Sequence, residues 1–226
     1  MSVRLSTRLE EIIRQVPSCE RVIDVGTDHA LVPIALLERG VSLRAVGIDK
    51  SPLPLMKARV NRNNAQLNHS LELNCATGLN VKSLEPSDVV VMAGMGGHTM
   101  KDVLEESSWR GTLVLQPNRN GSMLREWLVV NGWVCEVETL IKDGAQFFWT
   151  SRWIVLSERS TDELTISALH REFGFNTWET SSQMFTEWFQ QETIRIHSLP
   201  PQALTRQRIP LYRQMENILS KSKDLG

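Results

Sequence analysis

The sequence predicts an α/β protein: a mostly parallel sheet closed by an antiparallel hairpin, with a helix before it and a helical domain after it. Three observations predict this. Up to about Ser157, short β-rich runs alternate with amphipathic helical stretches, a pattern that implies right-handed crossovers and helices on both sheet faces. The last two strand candidates follow each other with only the turn signal Lys142-Asp143-Gly144 between them. Beyond Ser157 the strand pattern stops and helical patterns take over, which divides the chain into 1–157 and 158–226.

The elements follow in order. Leu5, Leu9, Ile12, Ile13 and Val16 share one helical face, and Pro17 closes that helix. Strands are expected at Arg21–Val25, Leu43–Asp49, Leu71–Cys75, Asp88–Ala93, Thr112–Gln116, Trp133–Leu140 and Phe147–Leu156. Helices are expected at His29–Arg39, Pro52–Gln66, Gly97–Glu106 and Ser122–Asn131. In the tail, Glu163–Phe173, Trp178–Leu199 and Gln202–Ser220 read as helices, the last two separated by Pro200-Pro201. Trp178 and Trp188 are expected to pack rather than to stack on a ligand.

Composition excludes several classes. With 226 residues and 41% hydrophobic content, the chain has enough apolar material for a real core. No apolar run reaches the roughly 20 residues of a membrane helix, and the first eight residues lack a signal-peptide stretch, so a cytoplasmic location is expected. Cys19, Cys75 and Cys135 have neither metal-ligand nor disulfide spacing, and no metal is expected. A net charge of −1 is not that of a general nucleic-acid binder, although a local patch suffices for phosphate contacts. One such stretch is the tail, where Arg195, Arg206, Arg208, Arg213, Lys221 and Lys223 outnumber the acids; a solvated helix face is the simpler account.

Three motifs carry chemistry. In Val22-Ile23-Asp24-Val25-Gly26-Thr27-Asp28-His29-Ala30 an apolar strand runs into a tight turn and a helix. A pyrophosphate would need Gly-x-Gly-x-x-Gly here, and the window holds one glycine. A ligand with a cationic, phosphate-free end prefers the carboxylates Asp24 and Asp28; the plainer alternative makes Asp28 a helix N-cap. In Ala45-Val46-Gly47-Ile48-Asp49 the second strand ends in an acid placed to accept both hydroxyls of a ribose, with Lys50 beside it. In Val89–Gly97 a buried strand opens into Ala93-Gly94-Met95-Gly96-Gly97, whose bare backbone admits a flat base or a reacting group; a phosphate cradle is the competing reading, and the loop lacks the Gly-Lys-Ser/Thr ending that would serve it. Gln116-Pro117-Asn118 follows the fifth strand, and its amides can pair with an adenine edge or simply form a polar turn. Arg8 and Arg119 are candidate phosphate contacts.

Asp24-Val-Gly-Thr-Asp-His-Ala, Ala93-Gly-Met-Gly-Gly and Gln116-Pro-Asn, with Leu5-Ser-Thr-Arg-Leu and Arg125-Glu-Trp-Leu, together resemble the TrmK family, the tRNA (adenine(22)-N(1))-methyltransferases. The resemblance implies a class I, Rossmann-like methyltransferase domain and a helical, coiled-coil-like domain that grips tRNA. It implies S-adenosyl-L-methionine around Asp24, Gly26, Thr27, Asp28, His29, Asp49, Lys50, Thr77, Gly78, Ala93, Gly94 and Met95. The target adenine is then expected near Gly96, Gly97 and Gln116–Asn118, with Arg8 and Arg119 nearby, and the expected form is a monomer. Two positions depart from the family: Thr77 stands where an acid often meets the cofactor's adenine amine, and Phe175 stands where the tail often has proline.

Adenine N1 has an in-plane lone pair that can take a methyl directly, so alignment is the main catalytic task. Asp28 is the candidate for accepting or orienting the amine proton, with His29 second. The Asn/Asp-Pro-Pro-Tyr/Phe motif of exocyclic amine methylation is absent, and Cys75, expected as a buried thiol, sits in the wrong strand for cytosine chemistry. Methylation of another RNA or a small molecule, and a non-catalytic RNA-binding module, remain as other readings; a nicotinamide dehydrogenase is the most distant.

Overall fold

A computed structural model describes residues 5–79, 84–155, 165–175, 177–180, 182–200, 203 and 208–223. Helix α1 (Thr7–Gln15) is followed by β1 (Cys19–Val25), α2 (Leu31–Glu38), β2 (Ser42–Asp49), α3 (Pro52–Asn64) and β3 (Leu71–Cys75). Then come β4 (Val89–Ala93), α4 (Gly97–Glu105), β5 (Thr112–Gln116) and α5 (Gly121–Val130). The hairpin is β6 (Trp133–Asp143) with β7 (Gln146–Val155), and the tail holds α6 (Ala168–Phe173), α7 (Thr177–Thr180), α8 (Ser182–Ser198) and α9 (Ile209–Lys223).

The seven strands are ordered β3-β2-β1-β4-β5-β7-β6. The first five are parallel, and β7 runs antiparallel to both β5 and β6. This is the predicted sheet with its closing hairpin. Strand order reverses between β1 and β4, and in an open α/β sheet ligands bind at the carboxyl ends of the strands flanking that point.

Alternate residues of the strands feed two cores. Ile23, Val90, Met92 and Leu113 meet Met100, Leu104, Leu124 and Leu128 of α4 and α5 on one face. Val22, Val89, Val91 and Val114 meet Ile12, Ile13, Ile34 and Leu36 of α1 and α2 on the other. Burial on both faces explains why β1 and β4 read as continuous apolar runs. Ser6 caps α1 by accepting from the Leu9 N–H at 3.4 Å.

The tail has its own aromatic core. Phe173, Phe185, Phe189, Tyr212 and Met215 pack with Leu140, Phe147 and Trp149 of the hairpin, so the tail shares its apolar interior with the sheet domain. A buried ion pair fixes the junction: Arg125 Nε donates to Glu138 Oε1 at 2.8 Å, Glu138 Oε2 accepts from Phe175 N–H at 2.7 Å, and Arg125 Nη1 donates to the Arg171 carbonyl at 3.1 Å. Gly174, at φ +83°, has no room for a side chain, since a Cβ there would lie 2.6 Å from Glu138 Oε2.

Several expectations need correction. Helix α2 starts at Leu31, because Asp28 (φ 43°) and Ala30 (φ 58°) are both left-handed and turn the chain first. The N-cap position is Ala30, so Asp28 is not a helix cap. The hairpin strands extend further than expected, and Lys142 and Asp143 belong to β6, leaving Gly144-Ala145 as the connection. The expected helix 178–199 is divided between α7 and α8, and the last helix begins at Ile209. Glu163, Gln202 and the 157/158 boundary lie outside the described residues. Cys75 is exposed rather than buried, because it ends the edge strand β3. Among the described residues, no helix is long and apolar enough to cross a membrane.

Candidate functional site

A cleft of about 1010 Å³ opens at the carboxyl ends of β1 and β4. Of the residues singled out in the sequence, Arg8, Asp24, Gly26, Thr27, Asp28, His29, Ala93, Gly94 and Asn118 line it.

The β1–α2 turn is pinned to β2. The Gly26 and Thr27 N–H groups both donate to the Ile48 carbonyl, at 2.8 and 3.0 Å, which brings the turn beside Asp49. Asp24 lies on the cleft floor, only 5% exposed. Burial pushes its carboxyl up to about 6, the nearby Thr27 hydroxyl works against that rise, and nearby Asp49 adds repulsion. Asp49 ends β2 and accepts from the Ser51 N–H at 2.8 Å. Neither acid is in an ion pair with a cation of the chain among the described residues.

Asp28 is exposed at the mouth, with His29 Nε2 3.4 Å from its Oδ2. The Asn61 side chain of α3 holds the His29 carbonyl at 2.9 Å. Gly26, at φ +80°, faces Met95: a Cβ there would lie 2.8 Å from Met95 Cε. The bare backbone at Gly26 therefore accommodates Met95 first.

The glycine-rich loop divides its glycines. Gly94 faces the cleft. Gly97 faces the next loop, where a Cβ would stand 2.5 Å from the Asn120 carbonyl oxygen, and Gly96 faces the Arg119 side chain. Their smallness serves loop-to-loop packing, with the Gly97 N–H donating to the Arg119 carbonyl at 2.9 Å.

Gln116 is fully buried, and its amide bonds at both ends. Its Oε1 accepts from Arg8 Nη1 at 2.7 Å, and its Nε2 donates to Asn118 Oδ1 at 3.2 Å. Asn118 Nδ2 in turn donates to the Gly94 carbonyl at 2.6 Å. Gln116 thus orients Arg8 and Asn118, and Asn118 is the amide exposed to the cleft. Pro117 shapes this turn, and Arg119 is exposed beside Gly96.

Asp49, Lys50, Thr77 and Gly78 are not on the cleft wall, and neither are Met95, Gly96, Gly97, Gln116, Pro117 and Arg119, which stand behind or beside it. Lys50 and Thr77 are exposed around the ends of β2 and β3, and Gly78 adopts φ +64°. The wall also contains residues that sequence reasoning missed: Gln146, Phe147 and Phe148 from the hairpin, and Trp188, Gln191, Glu192 and Arg195 from α8. Only the tail's basic bias pointed towards Arg195. Trp188 packs edge-on against Trp149 at 5.2 Å, as expected, and still borders the cleft.

Comparison with known proteins agrees with this geometry. The tRNA (adenine(22)-N(1))-methyltransferase of Bacillus subtilis (strain 168) is 25% identical over 150 residues, covering 65% of this chain and 63% of that protein. The chain spans less than two thirds of the length of the curated relatives it matches. Sp1610 of Streptococcus pneumoniae, solved in complex with S-adenosyl-L-methionine, is 26% identical with a TM-score of 0.82, covering 93% of this chain and 99% of that one. The B. subtilis m1A22 tRNA methyltransferase TrmK has the same fold, with a TM-score of 0.77 at 21% identity over 96% of this chain and 98% of that one. The family resemblance read from the motifs is therefore upheld. Residues 5–150 match the family model described as a methyltransferase domain, and the chain belongs to that family.

Proposed function

We propose that this protein is an S-adenosyl-L-methionine-dependent tRNA methyltransferase that methylates N1 of an adenine, at position 22. The observation that carries this reading is the acidic floor of the cleft. A carboxylate that is buried and has no cationic partner among the described residues suits a ligand that brings a cation. S-adenosylmethionine carries both an ammonium and a sulfonium, and no phosphate, so the donor set fits it. The likeness to Sp1610 and to the B. subtilis relative supports both cofactor and substrate.

The residues divide by role. Asp24, Gly26, Thr27, Asp28 and His29 would surround the aminocarboxypropyl end. Asp49 would accept the ribose hydroxyls, with Lys50, Thr77 and Gly78 along the adenosine and Ala93–Met95 near the transferred group. A threonine hydroxyl at Thr77 still accepts a hydrogen bond from an amine. When bound, the cofactor would supply an electrophilic methyl whose C–S bond breaks as N1 bonds to it, the sulfur leaving as a neutral thioether.

The chain's own work is alignment and exclusion of water. Asn118, oriented by Gln116, presents its amide to the adenine edge. Asp28, at the mouth, accepts the amine proton that methylation of N1 makes more acidic. Reaching the cleft requires the base to leave its stack, so the tRNA backbone must be held while it does.

Labelled methyl transfer to unmodified bulk tRNA, followed by nucleoside digestion, tests the reading. Label is expected in 1-methyladenosine, and a strongly reduced rate with Asp28→Asn, a side chain that tolerates the left-handed backbone there. Label in another nucleoside would overturn the target. Cofactor binding without transfer to any RNA would favour a small-molecule methyltransferase or a binding module.

A further inference from the structure

The cleft holds charges of both signs. Its acids Asp24 and Asp28 belong to the β1 side and its third acid, Glu192, to α8, which also carries Arg195, while the cleft's other guanidinium, Arg8, comes from α1. Trp188, Gln191, Glu192 and Arg195 are spaced to share one helical face, and that face borders the cleft. Helix α8 is held in place by the Lys142–Glu187 ion pair and by Trp188 against Trp149. Arg8 is fixed by Gln116, stands 5.4 Å from the Phe148 ring centroid, and has its own N–H 3.4 Å from Asp143 Oδ2.

Arg195 is the more exposed of the two. Its side chain is 53% exposed, and it engages Glu192, one turn earlier, through both Nε and Nη2. The guanidinium is therefore already set to grip two oxygens of one anion, and its open side lets a second anion compete with the carboxylate. A phosphodiester is such an anion, because two of its oxygens match the guanidinium fork. Resting on the tRNA reading above, we propose that Arg8 and Arg195 form a phosphate subsite for the nucleotide flanking the reacting adenine, and that Glu192 holds Arg195 until that phosphate replaces it. The tail would then complete the active cleft itself, with its arginine joining the first helix's.

The test is binding of fluorescent tRNA to the full chain, by anisotropy, across a range of salt concentrations. Arg195→Gln is expected to weaken binding about tenfold and to lower the log–log salt slope by about one. Glu192→Gln is expected to tighten binding about threefold, because the competing carboxylate is gone. Combining Arg8→Gln with Arg195→Gln should cost less than the product of the two single effects, since both act on one phosphate. Stabilisation by S-adenosylmethionine should be unchanged in Arg195→Gln and Glu192→Gln, which checks that they fold. Unchanged binding by Arg195→Gln, weaker binding by Glu192→Gln, or multiplicative effects in the double variant would each overturn the subsite. A wild-type chain that binds no tRNA would instead remove the functional reading on which the subsite rests.

Discussion

Asp24 holds its proton up to about pH 6 in the folded protein, against an ordinary value of 3.8. Between these values the folded chain binds more protons than the unfolded one. Stability of the ligand-free protein therefore falls as pH rises from about 4 to 6 and stays lower above that. The gap is worth on the order of 3 kcal/mol, at about 1.4 kcal/mol per pH unit. Asp24→Asn should raise the thermal midpoint at pH 8, with the advantage closing near pH 4, as differential scanning fluorimetry would show. The same variant should lose stabilisation by S-adenosylmethionine. A lower midpoint at pH 8 would mean that the carboxylate is satisfied in a way the geometry does not show. The sequence singled out Asp24 from its place at a strand end, but its burial depends on neighbours distant in the chain.

At the scale of elements, the strand and helix order was legible because each parallel strand is buried on both faces and each helix has one apolar face. The exact ends were not. Two left-handed residues, Asp28 and Ala30, delay α2, and backbone conformation of that kind leaves little trace in side-chain pattern. The glycines after β4 were legible as a loop, and Gly94 faces the cleft, but the neighbour that requires Gly97 is Asn120, on another loop. Gly97→Ala should therefore destabilise the fold by roughly 1–3 kcal/mol, measurable by urea denaturation, with a loss too small to detect if the loops can separate. The Arg125–Glu138 pair was also invisible as a pair, because it links α5 to β6 across the junction with the tail. Arg125→Gln leaves Glu138 buried and uncompensated, and should cost about 3–5 kcal/mol in the same assay.

At the scale of the molecule, the sequence suggested two units, 1–157 and 158–226, and the packing joins them. Leu140, Phe147 and Trp149 of the hairpin lie in the same aromatic core as Phe173, Phe185 and Tyr212 of the tail. Calorimetry should therefore show one cooperative transition, with two resolved transitions contradicting a shared core. The same junction sets part of the cleft: Phe148 and Arg195, from hairpin and tail, line the same site as Asp24 and Asp28 of β1 and its turn. Long-range placement of this sort is why half of the site was read from motifs and the other half was not.

We propose that this cleft directs a methyl group to N1 of adenine 22. The most direct measurement is single-turnover transfer of labelled methyl to a tRNA transcript bearing A22 and to its A22→G counterpart. Methylation at that atom gives 1-methyladenosine in the first and no label above background in the second. Equal labelling of both transcripts would contradict it.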